Sequence, residues 1–270
     1  VREAGASAQL AWAYRSDRGL VRATNEDYAC VVATDLETDA ALFVVADGLG
    51  GHAAGEVASQ LACTELARAW EDSRSGSARQ RLRQGFRRAN EAVFEGALAR
   101  GQRGMATTLT ALAIGRDEAA VGHVGDTRCY RIAGGRAQQL TSDHSQAGEM
   151  LRRGLISPLA AANHPNRSVL TRCLGRELDP HADIFRVERA TGDTFVLASD
   201  GLWDLVGHAE LAEIAGEAGD PLPDSLVEAV EELAKLAIYR GAPDNVTLML
   251  VRLIDVPEGR SGSRLFGRFA

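Results

Sequence analysis

Short apolar, β-branched runs recur along the chain at Ala40 to Ala46, Thr107 to Ile114, Ala119 to Val124, Thr194 to Ala198 and Val246 to Leu253. Their lengths suit strands, and several are bounded by Gly, Asp or Asn, residue types that interrupt regular pairing. Arg128–Ile132 and Ala137–Leu140 flank Ala133-Gly134-Gly135-Arg136, which predicts a hairpin turn because glycine accepts a positive φ without strain. Elsewhere the period changes. Ala58, Leu61, Ala62, Leu66 and Ala69 recur three or four apart, as do Leu82, Phe86, Ala89, Val93 and Ala97. Each set lines one face of a helix, and the two helices are consecutive. A third helix is expected from Asp224, a good N-cap, to Gly241, a good terminator, with Leu226, Val230, Leu233 and Ala237 inward.

The order is strands, two long helices, several hairpin-linked strands, a mixed polar region, then strand, helix, strand. Grouped helices and consecutive antiparallel strands predict a layered α+β sandwich rather than a doubly wound parallel sheet. The segment from His144 to about Leu174 lacks clear strands and carries a short helical pattern, which suits a flap over a site. One domain is expected over residues 1–255, followed by a loose tail over 256–270.

Composition narrows the class. The chain has 270 residues, 45% apolar and 25% charged, a balance that supports a large core and argues against disorder. The 30 basic and 37 acidic side chains give a net charge of −7, which disfavours a broad nucleic-acid surface. No run approaches the ~20 apolar residues of a membrane helix, and no charged-then-apolar leader is visible. A monomeric cytoplasmic protein with no membrane segment in this chain, or the soluble part of a larger protein, is the expectation. Cys30, Cys63, Cys129 and Cys173 are widely spaced, without a CxxC pair, and lie in apolar segments. Reduced, mostly buried thiols are expected, not zinc or redox chemistry. Gly101 to Gly104 lacks the Lys and spacing of a phosphate-binding loop, and no GxSxG string occurs.

Acidic residues stand where strands stop. Asp47 follows Leu42 to Ala46, Asp126 follows Val121 to Gly125, Asp200 follows Phe195 to Ser199, and Asp244 precedes the last strand. A carboxylate beside an apolar strand must be solvated, paired or bound to a cation. Convergence of these strand ends would make a cluster of hard oxygen ligands suited to Mg²⁺ or Mn²⁺. Taken alone, the pattern favours ordinary Asp-Gly turns. Periodicity does not show convergence.

Local strings carry the argument further. Arg22-Ala23-Thr24-Asn25-Glu26-Asp27, Asp47-Gly48-Leu49-Gly50-Gly51-His52, Gly104-Met105-Ala106-Thr107-Thr108 and Gly125-Asp126-Thr127-Arg128 occur in that order. Leu140-Thr141-Ser142-Asp143-His144, Leu170-Thr171-Arg172, Ser199-Asp200-Gly201 and Asp244-Asn245-Val246-Thr247 follow. The series, spanning roughly residues 10 to 253, resembles the metal-dependent protein phosphatases of the type 2C or PPM family, closest to its bacterial members. That resemblance implies a four-layer α-β-β-α sandwich, two central antiparallel sheets flanked by helices, with two metals at one end and a weaker third. It implies hydrolysis of phosphoserine and phosphothreonine by direct attack of a water bridging two ions, Mn²⁺ or Mg²⁺. Partners would be phosphorylated proteins, a bacterial Ser/Thr kinase among them.

Carried over by position, Asp47 resembles the bridging carboxylate and Gly48 supplies a backbone carbonyl ligand. Asp200 and Asp244 resemble the other ligands of the first metal, and Asp126 with Asp200 the third-metal pair. Glu26 and Asp27 match acidic groups near the metals. Arg22 matches the arginine that grips phosphate, a role suited to a planar guanidinium. His52 resembles the general acid for the leaving alkoxide. Leu49 stands where the bacterial string has Met, and Thr127 where Ser is common; both are mild changes. His123, His164, His181 and His208 are expected bystanders, and His144 is expected to shape the flap rather than do chemistry. Arg79, Arg81, Arg83, Arg87 and Arg88 read as a solvated helix face. A phosphoprotein-binding module without turnover is the competing reading, and a small-metabolite phosphatase a weaker one.

Overall fold

The computed structural model describes residues 2–32, 36, 40–50, 53–73, 75–102, 104–115, 118–216 and 223–255. The tail over 256–270 and His52 lie outside the described residues. The chain opens with β1 (Arg2–Ala6), β2 (Leu10–Asp17), β3 (Asp27–Val32) and β4 (Ala41–Leu49), then α1 (Ala53–Asp72) and α2 (Ala78–Ala99). Next come β5 (Ala106–Thr107), β6 (Leu109–Ile114), β7 (Ala119–Val124), β8 (Arg128–Ala133) and β9 (Arg136–Gln139). Short helices α3 (Gln146–Arg152) and α4 (Pro158–Ala162) precede β10 (Asp183–Val187) and β11 (Thr194–Ala198). Then α5 (Asp200–Trp203), α6 (His208–Gly216), α7 (Asp224–Tyr239) and β12 (Val246–Leu253) complete the described fold.

The strands pair in two sheets, ordered β1-β2-β12-β11-β8-β9 and β10-β7-β6-β4-β3, with β5 joined to β4. Every ladder is antiparallel. The α+β sandwich is the predicted one. Period-2 geometry explains its layers. In β12, Val246, Leu248 and Leu250 pack with α5, α6 and α7, while Met249, Val251 and Leu253 point into the centre. In β4, Leu42, Val44 and Ala46 face α1 and α2, while Ala41, Phe43 and Val45 join the same centre. Strands covered on both faces have no polar alternation, and their sequences read as continuous apolar runs.

The helices follow their apolar stripes. Ser77 caps α2 with a reciprocal capping box to Gln80. Asp224 is not the N-cap of α7: Pro223 holds that place, and its carbonyl accepts from Leu226 and Val227 at 3.0 and 3.1 Å. Asp224 is instead an acid in the first turn, where the helix dipole favours it. The hairpin between β8 and β9 turns at Gly134 and Gly135, with φ of 55° and 70°. The α2 arginines divide. Arg83 and Arg87 are exposed, but Arg81 is buried, with its guanidinium carbon 3.7 Å over the Trp70 ring and Nη2 donating to Trp70 O at 2.7 Å. At 3.6 residues per turn Arg81 lies roughly 200° around the helix from Arg83, on the side of the buried Gly85 and Ala89 that packs on α1. Cys63, Cys129 and Cys173 are buried free thiols and Cys30 is half-buried. Among the described residues no helix is long and apolar enough to cross a membrane.

Candidate metal centre

Strand β4 does not stop at Ala46. Gly48 and Leu49 pair with Thr107 and Ala106, so Asp47 lies inside the strand, directly opposite Asp27 of β3. Like charges in that register repel. The backbone of Asp47 is held by two threonines: its N–H donates to Thr108 Oγ1 at 2.9 Å, and its carbonyl accepts from Thr108 N–H and Thr107 Oγ1 at 2.9 and 2.8 Å. Gly48 N–H donates to the Glu26 carbonyl at 3.0 Å. A methyl group on Gly48 would fall 2.1 Å from the Gly55 carbonyl, and one on Gly55 would fall 2.1 Å from Glu26 Oε2. Only glycine lets the first turn of α1 approach the strand end and the Glu26 carboxylate this closely.

The other sheet delivers the remaining acids. Asp200 opens α5 immediately after β11, and Asp244 precedes β12. Two side chains sew the sheets together here. Ser199 Oγ donates to Asp27 Oδ2 at 2.7 Å. Asn245 accepts from Glu26 N–H at 2.8 Å and donates to the carbonyls of Arg18 and Thr24 at 2.8 and 2.9 Å. Asp126 sits in the turn from β7 to β8, where its carbonyl accepts from Trp203 Nε1 of α5 at 3.1 Å.

Electrostatics show that these acids share one region. Burial, then Asp27, Asp200, Asp126 and Asp244, push the Asp47 carboxyl well above its ordinary value. Asp200 is raised likewise by burial, Asp126, Asp244, Asp27 and Asp204. Burial raises Asp27 to about 6, opposed by hydrogen bonds from Ser199 and Thr247. Burial and Asp143 raise Asp126 to about 7, opposed by Arg128. Each carboxylate is costly to ionise because the others are near and water is scarce.

Whether these groups suit a cation follows from their unmet valence. Asp27 Oδ1 and Asp200 Oδ1 are buried with no hydrogen-bond partner. Buried carboxylate oxygens without donors are a large desolvation cost, and a divalent cation relieves it. The donors are carboxylates, hard ligands that favour Mg²⁺ and Mn²⁺ over softer metals. Among the described residues, no three acidic, imidazole or thiol groups form a ready-made ligand set. The acids act on one another electrostatically without closing into a coordination shell.

Asp27, Asp47, Asp126, Asp200, Asp244 and Glu26 with Gly48 are therefore brought to one end of the sandwich. Arg22 joins them at the rim: it is exposed, and Nη2 lies 2.6 Å from Asp244 Oδ2. The hydrogen bond to Asp244, with the nearby charges of Asp244, Glu26 and Asp200, raises the Arg22 pKa against the opposing effect of burial. Ser199, Asn245, Thr107 and Thr108 were not singled out from sequence as organisers, although each lies inside one of the motif strings. Their signal was adjacency to the acids they hold. Asp143 and Asp204 were also missed. Asp143 pairs with Arg128 at 2.9 and 2.7 Å and Asp204 with Arg167 at 2.5 Å, and both raise charge density near Asp126.

An α-β-β-α sandwich with a carboxylate cluster at one end of its sheets defines a metal-binding class. The chain belongs to the protein phosphatase 2C family, whose model matches residues 22–235. It is 36% identical over 260 residues to the serine/threonine protein phosphatase PstP of Mycobacterium tuberculosis, covering 96% of this chain and 48% of that protein. It is 34% identical over 255 residues to the serine/threonine phosphatase stp of Listeria welshimeri, covering 93% of this chain and 98% of that one. The chain thus spans about half the length of the mycobacterial relative, 48%. The crystal structure of PstP superposes with a TM-score of 0.78 at 36% identity, over 92% of this chain and 100% of that one. The PstP catalytic domain in complex with two manganese ions superposes at 0.76 with 35% identity, over 92% and 99% of the two chains.

Proposed function

We propose that this chain is a metal-dependent phosphoprotein phosphatase acting on phosphoserine and phosphothreonine. The observation that carries the reading is the convergence of Asp27, Asp47, Asp126, Asp200 and Asp244, with buried oxygens on Asp27 and Asp200 left unpaired. The names of the relatives support the substrate class, and the manganese-bound PstP structure supports the metal.

On this reading Asp47, the Gly48 carbonyl, Asp200 and Asp244 hold two cations, with Glu26 and Asp27 beside them. Asp126 and Asp200 hold a third. When bound, Mn²⁺ or Mg²⁺ supplies Lewis-acid chemistry, neutralising the phosphoryl oxygens and activating a water. The chain supplies the rest. Asn245 and Ser199 lock the two strand ends so that the acids keep their spacing. Arg22, at the rim beside Asp244, would take two phosphate oxygens with its planar guanidinium. His52 gives a proton to the departing serine or threonine oxygen. Residues 1–255 form the catalytic domain, and 144–174 a flap beside the site. The partners are phosphorylated proteins, a Ser/Thr kinase among them, and the chain works as a monomer.

Turnover of phosphoserine and phosphothreonine peptides with Mn²⁺ tests this. The wild type should hydrolyse them only with the metal, and Asp200→Asn should lose at least about 100-fold in kcat, as removal of a key electrostatic group does. Tight retention of phosphopeptide with no hydrolysis under any divalent metal would replace the enzyme with a binding module.

A further inference from the structure

His144 is 2% exposed at the start of the 144–174 segment, and the chemistry above makes no use of it. Its backbone N–H donates to the Gly125 carbonyl at 2.7 Å, and Gly125 N–H donates back to its Nδ1 at 3.1 Å. An amide N–H can only donate, so Nδ1 is the unprotonated nitrogen and the ring proton sits on Nε2. That proton faces Asp183 Oδ2 at 3.1 Å. Arg172 Nη1 lies 3.3 Å from Nε2, but both nitrogens are donors, and the guanidinium is held by Asp183 Oδ1 at 3.1 Å. The His144 carbonyl accepts from Thr171 N–H at 2.8 Å, so the two ends of the segment meet on this residue.

The ring also reaches the interior. His123 packs against it in a tilted arrangement, with centroids 4.6 Å apart and ring planes at 40°, and His123 Nδ1 bonds Thr110 Oγ1 at 2.9 Å. Thr110 Oγ1 donates to the Thr127 carbonyl at 2.8 Å, just past Asp126. Gly125 itself has φ of 109°, a conformation with little local preference that its neighbours must hold. On one side of Asp126 the holders are the two His144 bonds, and on the other Trp203.

We propose that His144 is a positioning residue: its two-way clasp on Gly125 fixes where the Asp126 carboxylate points and ties that carboxylate to both ends of the 144–174 segment. The inference rests on the reading of Asp126 as a cation ligand. It predicts that the weakest of the metal sites depends on a buried imidazole that touches no metal. Outer-shell partners of this kind are worth roughly 10- to 100-fold in metal affinity.

Asparagine places its side-chain oxygen near the Nδ1 position, whereas glutamine reaches only the Nε2 position. His144→Asn, His144→Gln and His144→Ala in the full chain therefore separate the clasp from the contact with Asp183. Three measurements apply: calorimetric Mn²⁺ titration, amide hydrogen exchange at Gly125 in the metal-free chain, and kcat and KM with a phosphopeptide. His144→Gln and His144→Ala should weaken the weakest Mn²⁺ site about 10-fold or more and speed Gly125 exchange, lowering kcat more than they raise KM. His144→Asn should restore most of each. If the alanine variant does not fold, the asparagine and glutamine pair decides.

Equal behaviour of His144→Asn and His144→Gln, or a wild-type titration curve in both, would overturn the clasp. Asp126→Asn separates the layers of the argument. Loss of one Mn²⁺ site in that variant with none in His144→Gln refutes the positioning role and leaves the phosphatase reading standing. No Mn²⁺ uptake by the wild type removes both.

Discussion

Replacing Asp27 with Asn exposes the electrostatic cost that the acidic cluster carries without metal. Asp27 is 6% exposed, its Oδ1 has no partner, and burial is the main cause that lifts its pKa from 3.8 to about 6. A rise of roughly two units corresponds to about 3 kcal/mol of differential stability. An acid with a higher pKa in the folded state costs nothing where both states are protonated. For Asp27 that range lies below 3.8; the cost grows as pH rises through that value and is complete above about 6. With EDTA at about pH 8, Asp27→Asn should therefore be more stable than the wild type by up to about 3 kcal/mol, or roughly 6–12 °C in melting temperature. Below about pH 4 the two should melt together. Excess Mn²⁺ should reverse the order at about pH 8, because binding to the intact cluster stabilises the wild type by mass action. Thermal melts across this pH range, with EDTA and with Mn²⁺, check all three statements. A metal-free difference that does not grow with pH, or Mn²⁺ stabilising both proteins equally, would refute the reasoning.

Arg22→Ala should raise KM for a phosphopeptide about 10- to 100-fold, the worth of a lost charge-assisted pair, while Mn²⁺ titration changes only a few-fold; steady-state kinetics and calorimetry compare the two, and equal loss of metal would mean that the contact with Asp244 is structural. Arg81→Met should cost about 2–4 kcal/mol by urea denaturation, since it removes the hydrogen bond to the Trp70 carbonyl and the cation from the indole face. Arg83→Met, two residues along on the exposed face, should stay within about 0.5 kcal/mol.

Where regular structure runs, and which residues carry charge into it, is legible in the local pattern of the chain. The apolar runs of β4, β6, β7, β11 and β12 and the stripes of α1, α2 and α7 are local signals, because period 2 and period 3.6 are properties of neighbouring residues. β1 and α5 were harder to see: β1 is an exposed edge strand with the weak pattern Arg-Glu-Ala-Gly-Ala, and α5 is four residues long. The acids stand in local motif strings that are legible without geometry. Tertiary structure alone decided that they meet. Asp27 and Asp47 face each other because β3 and β4 pair in one register, and a slip of one residue would turn one of them to the opposite face. Ser199 reaches Asp27 across 172 positions of chain, and the two glycines that let α1 approach Glu26 matter only because of what packs on them. Arg81 is buried and Arg83 exposed although both read as basic positions on one helix. Local sequence sets the conformation of a segment, but burial, carboxylate proximity and unmet hydrogen bonds are properties of pairs that only packing creates.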